Sequence, residues 1–350
     1  MKVAMLLSGG VDSSVALKLL KDQGHQVTAF YIKIWMEDKF SHLGSCPWED
    51  DLRYVEKICE KLKVPLEIVP LQKQYWERVV KNAIEEVSLG LTPNPDIWCN
   101  QRVKFGAFYD YIGNKFDKVA SGHYARVIEE NKKFYLKRTP DPIKDQTYFL
   151  AFLNQQQLSR ALFPLGELTK KEVRALAQKF NLPNKDRKDS QGICFLGKIK
   201  YRDFIKEHLG IKLGQIINYQ TGKQVGEHDG FWYYTIGQRK DIKLSGGPWY
   251  VIKKDIAKNI IYIADSKENI EQAKDKFVVG NLHWIVEQPK VKKLQVKVRH
   301  GAAMYDCKIK FLKNDKLEVV LVNVKDEGIA AGQFAVFYEG DICLGGGTII

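Results

Sequence analysis

The sequence predicts an α/β protein that combines an N-terminal parallel sheet, a small central domain and a C-terminal β-barrel. Strand-like and helix-like segments alternate over the first third of the chain, which is typical of a parallel sheet covered by helices on both faces. Beyond about residue 215, glycines recur between short β-rich runs, and from residue 277 these runs predict a small barrel or sandwich of strands. The expected domains are 1–200, 201–275 and 276–350.

The first strand and helix are predicted from an apolar run and the spacing behind it. Residues 3–7 are apolar, residues 8–14 form a turn, and apolar side chains then recur at helical spacing up to Gly24, which predicts the end of the helix. Further elements follow in order. They are a strand at 26–34, a helix at 50–62, and strands at 66–69 and 118–120.

Two later segments have clear periodicity. The pair Thr169 and Glu172 forms a capping box at the start of a helix over 168–182, whose apolar face contains Val173 and Ala177. Residues 294–299 alternate strictly between apolar and polar, which predicts a strand with Lys297 and Arg299 on its outward face.

Composition limits the class of protein. The chain has 350 residues and a formal net charge of +13, an excess that favours a polyanionic partner, either nucleic acid or an anionic membrane surface. No apolar run approaches the roughly 18 residues of a membrane span, and no secretory signal is recognisable. We therefore expect a cytoplasmic protein whose six cysteines are reduced. None of them forms a CxxC pair or has zinc-finger spacing.

A glycine loop, Ser8-Gly9-Gly10-Val11-Asp12-Ser13, lies between the first strand and the first helix. Backbone N–H groups and the helix dipole gather around phosphates at such positions, and both glycines permit positive φ and close approach of the backbone. A plain strand-to-helix turn is the alternative. The loop lacks the lysine of the Walker motif and the third glycine of the dinucleotide fingerprint.

The loop instead resembles the PP-loop of the ATP pyrophosphatase superfamily. Members of this superfamily bind the pyrophosphate end of ATP, cleave between the α and β phosphates, and transfer AMP to a carbonyl oxygen, which becomes a leaving group. A carboxylate at Asp12 inside an anion site is unfavourable without a cation, so we infer Mg²⁺ there.

Other segments resemble one branch of that superfamily, the tRNA-specific 2-thiouridylases. The matching segments run in order through the chain. They are 92–105, which carries Cys99, 121–125, 144–148, 189–195, which carries Cys194, 234–239 and 344–347. Trp98 departs from the family pattern, which has an aliphatic residue there, and adds a bulky ring beside Cys99.

The resemblance implies a role for each matched residue. Family members adenylate O2 of the wobble uridine. A persulfide on the second cysteine, here Cys194, delivers sulfur to C2, and Cys99 releases it. The implied ATP site is Leu6, Leu7, Ser8, Gly9, Gly10, Val11, Asp12 and Ser13, with Ile32 and Gly122 near the adenine. The implied tRNA contacts are Asn94, Pro95, Asp96, Lys144, Asp145, Gln146, Arg299 and His300. The expected partners are tRNA and a sulfur-donor protein, without DNA or membrane.

The residues themselves leave alternatives open. Taken alone, Cys99 is more often a buried structural thiol than a nucleophile, but the preceding Pro93 and Pro95 favour a loop. Lys104, Arg187 and Lys188 are candidates for lowering the pKa of a reactive thiol. Two well-placed thiols are too few for an iron–sulfur cluster held by cysteines alone. The other cysteines, Cys46, Cys59, Cys307 and Cys343, are expected to be structural.

Basic residues cluster in the predicted barrel. Exposed strands often carry lysines only to discourage edge pairing, but with the net charge and the tRNA-type motifs, RNA contact is favoured. The cluster is Lys290, Lys292, Lys293, Lys297, Arg299, Lys308, Lys310 and Lys313. Two rival functions remain at this point: another PP-loop ligase that adenylates a small carboxylate or amide, and a non-catalytic RNA-binding protein. His123 and His300 lack companions at ligand spacing, so neither is predicted to bind a metal.

Overall fold

The computed structural model describes residues 1–34, 48–189, 201–239, 241–242, 244–266, 274–291, 293–326 and 328–350. The fold is a mixed α/β architecture with a parallel sheet in the N-terminal part, a small sheet in the middle and a closed barrel at the C-terminal end. This is the predicted fold class.

The N-terminal core is a five-stranded sheet with a flanking hairpin. Its strands and those of the hairpin are β1 (Lys2–Leu6), β2 (Gln26–Lys33), β3 (Leu66–Pro70), β4 (Lys118–Ala120), β5 (Arg126–Glu130), β6 (Lys133–Lys137) and β7 (Ala161–Leu162). The sheet order is β3-β2-β1-β4-β7, and every neighbouring pair is parallel. Alternate residues of β1 enter two different cores: Val3 and Met5 pack in one, Ala4 and Leu6 in the other. Both faces of the sheet are therefore covered, as predicted.

Helices connect these strands and cover the sheet. They are α1 (Val11–Asp22), α2 (Trp48–Leu62), α3 (Gln72–Tyr75), α4 (Lys81–Ser88), α5 (Pro95–Trp98), α6 (Phe108–Ile112), α7 (Thr147–Leu150), α8 (Gln155–Arg160), α9 (Lys170–Lys179) and α10 (Tyr201–Leu209). Two π-helical segments, Trp76–Val80 and Cys99–Ala107, join α3 to α4 and α5 to α6.

Local sequence explains why two of these helices form where predicted. Helix α2 has three acidic residues in its first turn and buries Val55, Ile58, Cys59 and Leu62 at helical spacing. Helix α9 begins with the predicted capping box, because Thr169 accepts a hydrogen bond from the Glu172 backbone and Glu172 bonds back to Thr169.

The central part contains a four-stranded sheet. Its strands are β8 (Gly214–Asn218), β9 (Gln224–His228), β10 (Tyr250–Asp255) and β11 (Ile260–Ala264). Their order is β10-β11-β8-β9, with β11 and β8 parallel and the other pairs antiparallel. A separate small core that includes Ile216, Phe231 and Ile261 supports this sheet.

The C-terminal part is the predicted barrel. Its strands are β12 (Lys276–Trp284), β13 (Lys293–Lys297), β14 (Tyr305–Leu312), β15 (Lys316–Leu321), β16 (Phe334–Glu339) and β17 (Ile342–Ile349). They follow the order β12-β15-β14-β13-β16-β17, and pairing of β12 with β17 closes the barrel. Strand β17 also pairs with β6, so the hairpin of the N-terminal part extends the barrel sheet and joins the two parts.

One prediction about the barrel was wrong. Lys297, expected to point outward beside Arg299, is fully buried, whereas half of the Arg299 side chain is exposed. The alternating pattern does not hold here because Val296, Lys297 and Val298 are all buried. Lys297 is directed at Asp145, an acidic group 152 residues away along the chain.

Candidate functional site

The glycine loop lies where the strand order of the parallel sheet reverses. From β1 the chain passes to β2 and β3 on one side, and β4 then pairs with β1 on the other side. Ligands of open α/β sheets bind at this crevice, beyond the carboxyl ends of the strands. The Ser8–Ser13 loop follows β1, and Ser121 and Gly122 follow β4, so the topology brings these two segments together.

The two glycines of the loop have different roles. Gly9 has φ of +76°, a conformation that disfavours any residue with a Cβ, and a Cβ there would lie 2.7 Å from the Asp51 carbonyl oxygen. Gly10 is the N-cap of α1 with an ordinary φ of −77°, so the expected positive φ applies to Gly9 alone. No side chain caps α1, and residues 10–13 at this end of the helix line the cleft, as an anion site at a helix N-terminus requires.

Hydroxyl groups organise the start of α1. Oγ of Ser13 donates to the Gly10 carbonyl at 3.1 Å and lies 3.2 Å from Oγ of Ser8, and Oγ of Ser14 donates to the same carbonyl at 2.9 Å. On the outer side, the buried amide of Asn184 donates to the Gly9 carbonyl at 2.8 Å, and the Arg187 guanidinium donates to it at 3.1 Å. The loop is therefore fixed from both sides.

Gly122 lies against the first turn of α1. A Cβ on Gly122 would approach the Ser13 nitrogen to 2.7 Å and the Asp12 carbonyl carbon to 3.0 Å, and both are backbone atoms that cannot move away cheaply. Glycine at this position is thus required by the close packing of the β4 end against the glycine loop.

Asp12 is at the centre of a charged network. Its Oδ1 accepts hydrogen bonds from Lys170 Nζ at 2.6 Å and from the Tyr124 hydroxyl at 2.9 Å. Lys170 also pairs with Asp189 at 2.8 Å, and Asp189 is contacted by Lys144 and Arg174 as well. Although burial opposes ionisation, the hydrogen bonds from Lys144 and Lys170 hold the pKa of Asp189 well below its usual range.

These elements enclose a cavity of about 470 Å³. Predicted ATP-site residues that line it are Leu6, Leu7, Ser8, Gly10, Val11, Asp12, Ser13, Ile32 and Gly122, whereas Gly9 supports the loop from behind. Cys99, Lys144 and Gln146 line the same cavity. Side chains expected to act in nucleotide binding and in sulfur chemistry therefore share one cleft.

Cys99 occupies a helix rather than the expected loop. Pro95 begins α5 at its first position and Asn94 caps it, because Asn94 Oδ1 accepts from the Ile97 nitrogen, and the chain continues into the π-helical segment that starts at Cys99. Only 3% of Cys99 is exposed. Burial raises the pKa of its thiol to about 11, against a smaller opposing effect of Lys104, so the expected lowering of the pKa is outweighed.

His123 lines the same cavity as the glycine loop and Cys99. Its Nδ1 is 2.7 Å from the Ser121 hydroxyl, and its ring lines the cavity beside Phe105 and Phe163. Burial and the neighbouring Lys104 hold the pKa of His123 well below its usual value. The imidazole is therefore neutral near pH 7. Among the described residues, no group of three or more His, Cys, Asp or Glu side chains has the arrangement of a metal site.

The residues expected to contact tRNA fall into several environments. Lys144 and Gln146 line the cleft. Asp145 is fully buried and paired with Arg138 and Lys297, an environment in which its side chain is covered by protein. Its expected contact with tRNA stays a prediction.

The His300 ring packs against Phe149 in a tilted arrangement, at a centroid distance of 4.5 Å. Burial lowers the pKa of His300, and the nearby positive charge of Lys297 adds to this effect. Arg299, the residue before His300, forms an ion pair with Asp326 at 2.9 Å.

Cys194, Cys46 and Lys292 lie outside the described residues, so the Cys99–Cys194 pairing stays a prediction. The remaining cysteines, Cys59, Cys307 and Cys343, are buried free thiols, consistent with a structural role. Sequence reasoning missed Lys170, Tyr124 and Asn184, which act on the glycine loop from far along the chain. Two local signals lay near them: Tyr124 belongs to the matched segment 121–125, and the capping box at Thr169 places Lys170 at the first position of a helix.

The comparisons with known proteins agree along the whole chain. The family described as "tRNA methyl transferase HUP domain" matches residues 1–198. The "tRNA methyl transferase PRC-barrel domain" matches 202–265, and the "Aminomethyltransferase beta-barrel domain" matches 274–349. No helix within the described residues is long and apolar enough to cross a membrane.

Among solved structures, a 4-thiouridine synthetase in complex with RNA and ATP is similar over 57% of this chain and 45% of its own, at 18% identity and a TM-score of 0.34. An NMN synthetase from Francisella tularensis is similar over 60% of this chain and 76% of its own, at 18% identity and a TM-score of 0.35. At these scores the likeness adds nothing to the assignment.

Curated relatives carry the assignment. A protein of Bacteroides thetaiotaomicron named tRNA-specific 2-thiouridylase MnmA 1 is 46% identical, over 100% of this chain and 99% of its own. Proteins named tRNA-specific 2-thiouridylase MnmA from Parabacteroides distasonis and Porphyromonas gingivalis are each 45% identical with the same coverage. The chain therefore belongs to the tRNA-specific 2-thiouridylase family.

Proposed function

We propose that this protein catalyses ATP-dependent 2-thiolation of the wobble uridine of tRNA. The observation that carries the proposal is that the glycine loop and Cys99 line one cleft. A ligase acting on a small carboxylate would have no use for a thiol beside its nucleotide site. The family membership, the net charge of +13 and the names of the relatives support tRNA as the substrate.

In the proposed first step, the pyrophosphate end of ATP lies against the Ser8–Ser13 loop and the N-terminus of α1. Lys144, Lys170 and the N–H groups of α1 supply positive charge around the phosphates. Uridine O2 attacks the α phosphorus, pyrophosphate leaves, and the uridine carries AMP on O2. This converts a poor leaving group into a good one at C2.

Mg²⁺ is a further part of the proposal. Mg²⁺ sites in nucleotide enzymes usually combine one or two carboxylates with substrate phosphates, and Asp12 supplies one carboxylate at the helix N-terminus. The donor set therefore fits Mg²⁺ once phosphates are present, with Asp12 as the protein ligand. The ion would neutralise charge on the phosphates during cleavage. Lys170 already offsets the charge of Asp12, so the carboxylate is stable in the site without the ion.

In the proposed second step, sulfur reaches C2 from a persulfide on Cys194. The terminal sulfur attacks C2 and AMP departs, which leaves a Cys194–S–S–C2 linkage. The Cys99 thiolate then attacks the Cys194 sulfur. A Cys99–Cys194 disulfide forms, the S–S bond to the substrate breaks, and its electron pair stays on the sulfur attached to C2. A sulfur-donor protein restores the persulfide after a thiol reductant opens the disulfide.

Substrate contacts complete the proposal. Asn94, Pro95 and Asp96 approach the target base, while Lys144, Gln146, Arg299 and His300 contact the tRNA. The contact expected of Asp145 requires tRNA binding to uncover this buried side chain. We expect the protein to act in the cytoplasm, where tRNA is available.

The test is mass spectrometry of nucleosides from unmodified tRNA incubated with the protein, ATP, Mg²⁺ and a persulfide donor. We expect 2-thiouridine at the wobble position, formed with one pyrophosphate per sulfur. Asp12→Ala should abolish both products while circular dichroism stays unchanged, because the variant loses a carboxylate of the phosphate site. Asp22→Ala, at the exposed end of the same helix, is the control. Release of pyrophosphate without any thionucleoside would refute the proposed function.

A further inference from the structure

A fully buried ion pair joins the barrel to the nucleotide-binding part. Lys297, the last residue of β13, donates from Nζ to Oδ2 of Asp145 at 2.9 Å, and both side chains are 0% exposed. A lysine buried to this degree is rare, because its charge loses the hydration that water provides. The attraction between two buried charges offsets their lost hydration only where the two groups are held in close, well-aligned contact.

The remaining bonds of Asp145 fix the direction of its carboxylate. Arg138 Nε donates to Oδ2 at 3.2 Å, and Thr147 donates to Oδ1 from both its hydroxyl, at 2.8 Å, and its backbone nitrogen, at 3.3 Å. The Thr147 hydroxyl also lies 3.2 Å from the hydroxyl of Tyr338 in the barrel. Both carboxylate oxygens are therefore satisfied, and the backbone at Asp145 is held in one position.

The chain neighbours of Asp145 both reach the cleft. Lys144 lines the cleft and donates to Asp189 Oδ2 at 2.8 Å. Gln146 lines it too and accepts from the Tyr124 nitrogen at 3.0 Å, and the Tyr124 hydroxyl donates to Asp12. Two continuous routes thus connect Lys297 to the charged network of the glycine loop.

Other contacts already join the barrel to the N-terminal part. Strand β17 pairs with β6, and the Tyr148 hydroxyl donates to the Phe334 carbonyl at 3.1 Å. The ion pair is therefore not the sole connection between the two parts. Its distinctive feature is that Asp145 lies in the chain directly between Lys144 and Gln146, and both of these residues line the nucleotide cleft.

We propose that Lys297 is a positioning residue for the nucleotide step, acting through Asp145 to hold Lys144 and Gln146 at the ATP cleft. This inference rests on the proposed function only in taking the cleft as the ATP site. It gives a barrel residue a role in ATP binding rather than in contact with tRNA.

The experiment measures affinity for an α,β-methylene analogue of ATP with Mg²⁺, by calorimetry on the full chain without tRNA. Lys297→Met keeps the length of the side chain and removes its charge. We expect the Kd of the analogue to rise roughly tenfold, the scale of coupling through contiguous networks. Lys276→Met, which breaks an exposed ion pair with Glu318 on the same barrel, should leave the Kd unchanged.

A double-mutant cycle separates positioning from general stability. If Lys297 acts through Asp145, then Lys297→Met adds little to the rise in Kd that Asp145→Asn already causes. Wild-type affinity in Lys297→Met, or additive effects of the two changes, would overturn the proposal. Failure of both Lys297→Met and the double variant to fold would overturn it too, since the pair would then serve stability alone. Thiolation is not measured here, so failure of the unaltered chain to thiolate tRNA would refute the proposed function separately.

Discussion

Nζ of Lys170 lies 2.6 Å from Oδ1 of Asp12, so the first residue of the capping-box helix supplies the counter-charge of the glycine loop. The same ammonium lies 2.8 Å from Asp189, the last described residue before the segment that carries Cys194. The Lys170 side chain therefore pairs with two carboxylates, Asp12 in the glycine loop and Asp189 at the start of the segment 189–195 that carries Cys194.

The first prediction concerns this ammonium. Lys170→Met leaves Asp12 and Asp189, which both line the cleft, without the cation that they share. We expect tRNA-dependent release of pyrophosphate to fall by about a hundredfold or more, the usual cost of removing one preorganised charge donor. Lys171→Met, at the exposed neighbouring position, should react at the parent rate. An unchanged rate in Lys170→Met would assign the residue to the packing of α9.

Local sequence was sufficient to predict the strand, loop and helix around Ser8–Ser13, because an apolar run, two glycines and a helical period lie within 20 residues. It was also sufficient for the capping box of α9. It could not predict that Lys170 reaches Asp12, since the two are 158 residues apart. The distance between them depends on how α9 packs beside α1, which no local pattern encodes.

The errors have the same origin. The charge of Lys297 and the alternating pattern around it predicted an exposed side chain. An alternating pattern contains no information about Asp145, the buried partner 152 residues away. Two prolines before Cys99 favoured a loop, yet Pro95 occupies the first position of α5, where its missing N–H costs nothing. Burial of Cys99 depends on the core around it, which the sequence near Cys99 does not specify.

The second prediction concerns Arg299, a basic residue of the C-terminal barrel that is expected to contact tRNA. Half of the Arg299 side chain is exposed beside its ion pair with Asp326, whereas Lys297 is buried. Arg299→Ala should weaken tRNA binding and lower the magnitude of the salt slope by about one, as expected for one lost phosphate contact. Filter binding across a range of salt concentrations measures both quantities. Lys276→Ala is the control. An equal salt slope in the two variants would show that Arg299 makes no phosphate contact and only its ion pair with Asp326.

The third prediction tests the close approach at Gly122. An added methyl group would meet the backbone of Asp12 and Ser13, so Gly122→Ala should lower the free energy of unfolding by about 1–3 kcal/mol through overpacking. Gly280→Ala has only ordinary contacts, at 3.5 Å from Ile350, and should change the free energy of unfolding by less than about 1 kcal/mol. Urea denaturation of both variants is the measurement. Equal stability would mean that the loop shifts without cost.

The fourth prediction concerns the ionisation of Cys99. Because burial raises the pKa of its thiol to about 11, the reactive thiolate is scarce at pH 7–8 and increases with pH. Alkylation of Cys99 by iodoacetamide, followed by peptide mass spectrometry, should accelerate about tenfold per pH unit up to pH 10. Lys104→Met removes the charge that opposes this shift, so the reaction should slow at a fixed pH. A rate that levels off near pH 8 would contradict the raised pKa.

The fifth prediction separates the roles of the two cysteines. Sulfur transfer to adenylated uridine needs a nucleophile that carries the sulfur and a second thiol that releases it, and these roles predict different defects. Cys194→Ser should accept no labelled sulfur, yet should still release pyrophosphate with tRNA. Cys99→Ser should accept sulfur on Cys194 and adenylate tRNA but fail to complete the transfer, because no thiolate opens the S–S bond to the substrate. Cys59→Ala, which removes a buried thiol remote from the cleft lining, should thiolate normally apart from some loss of stability. If Cys99→Ser forms 2-thiouridine at the parent rate when a persulfide donor is the only sulfur source and no other thiol is present, the releasing role is excluded and Cys99 is a structural residue of its helix.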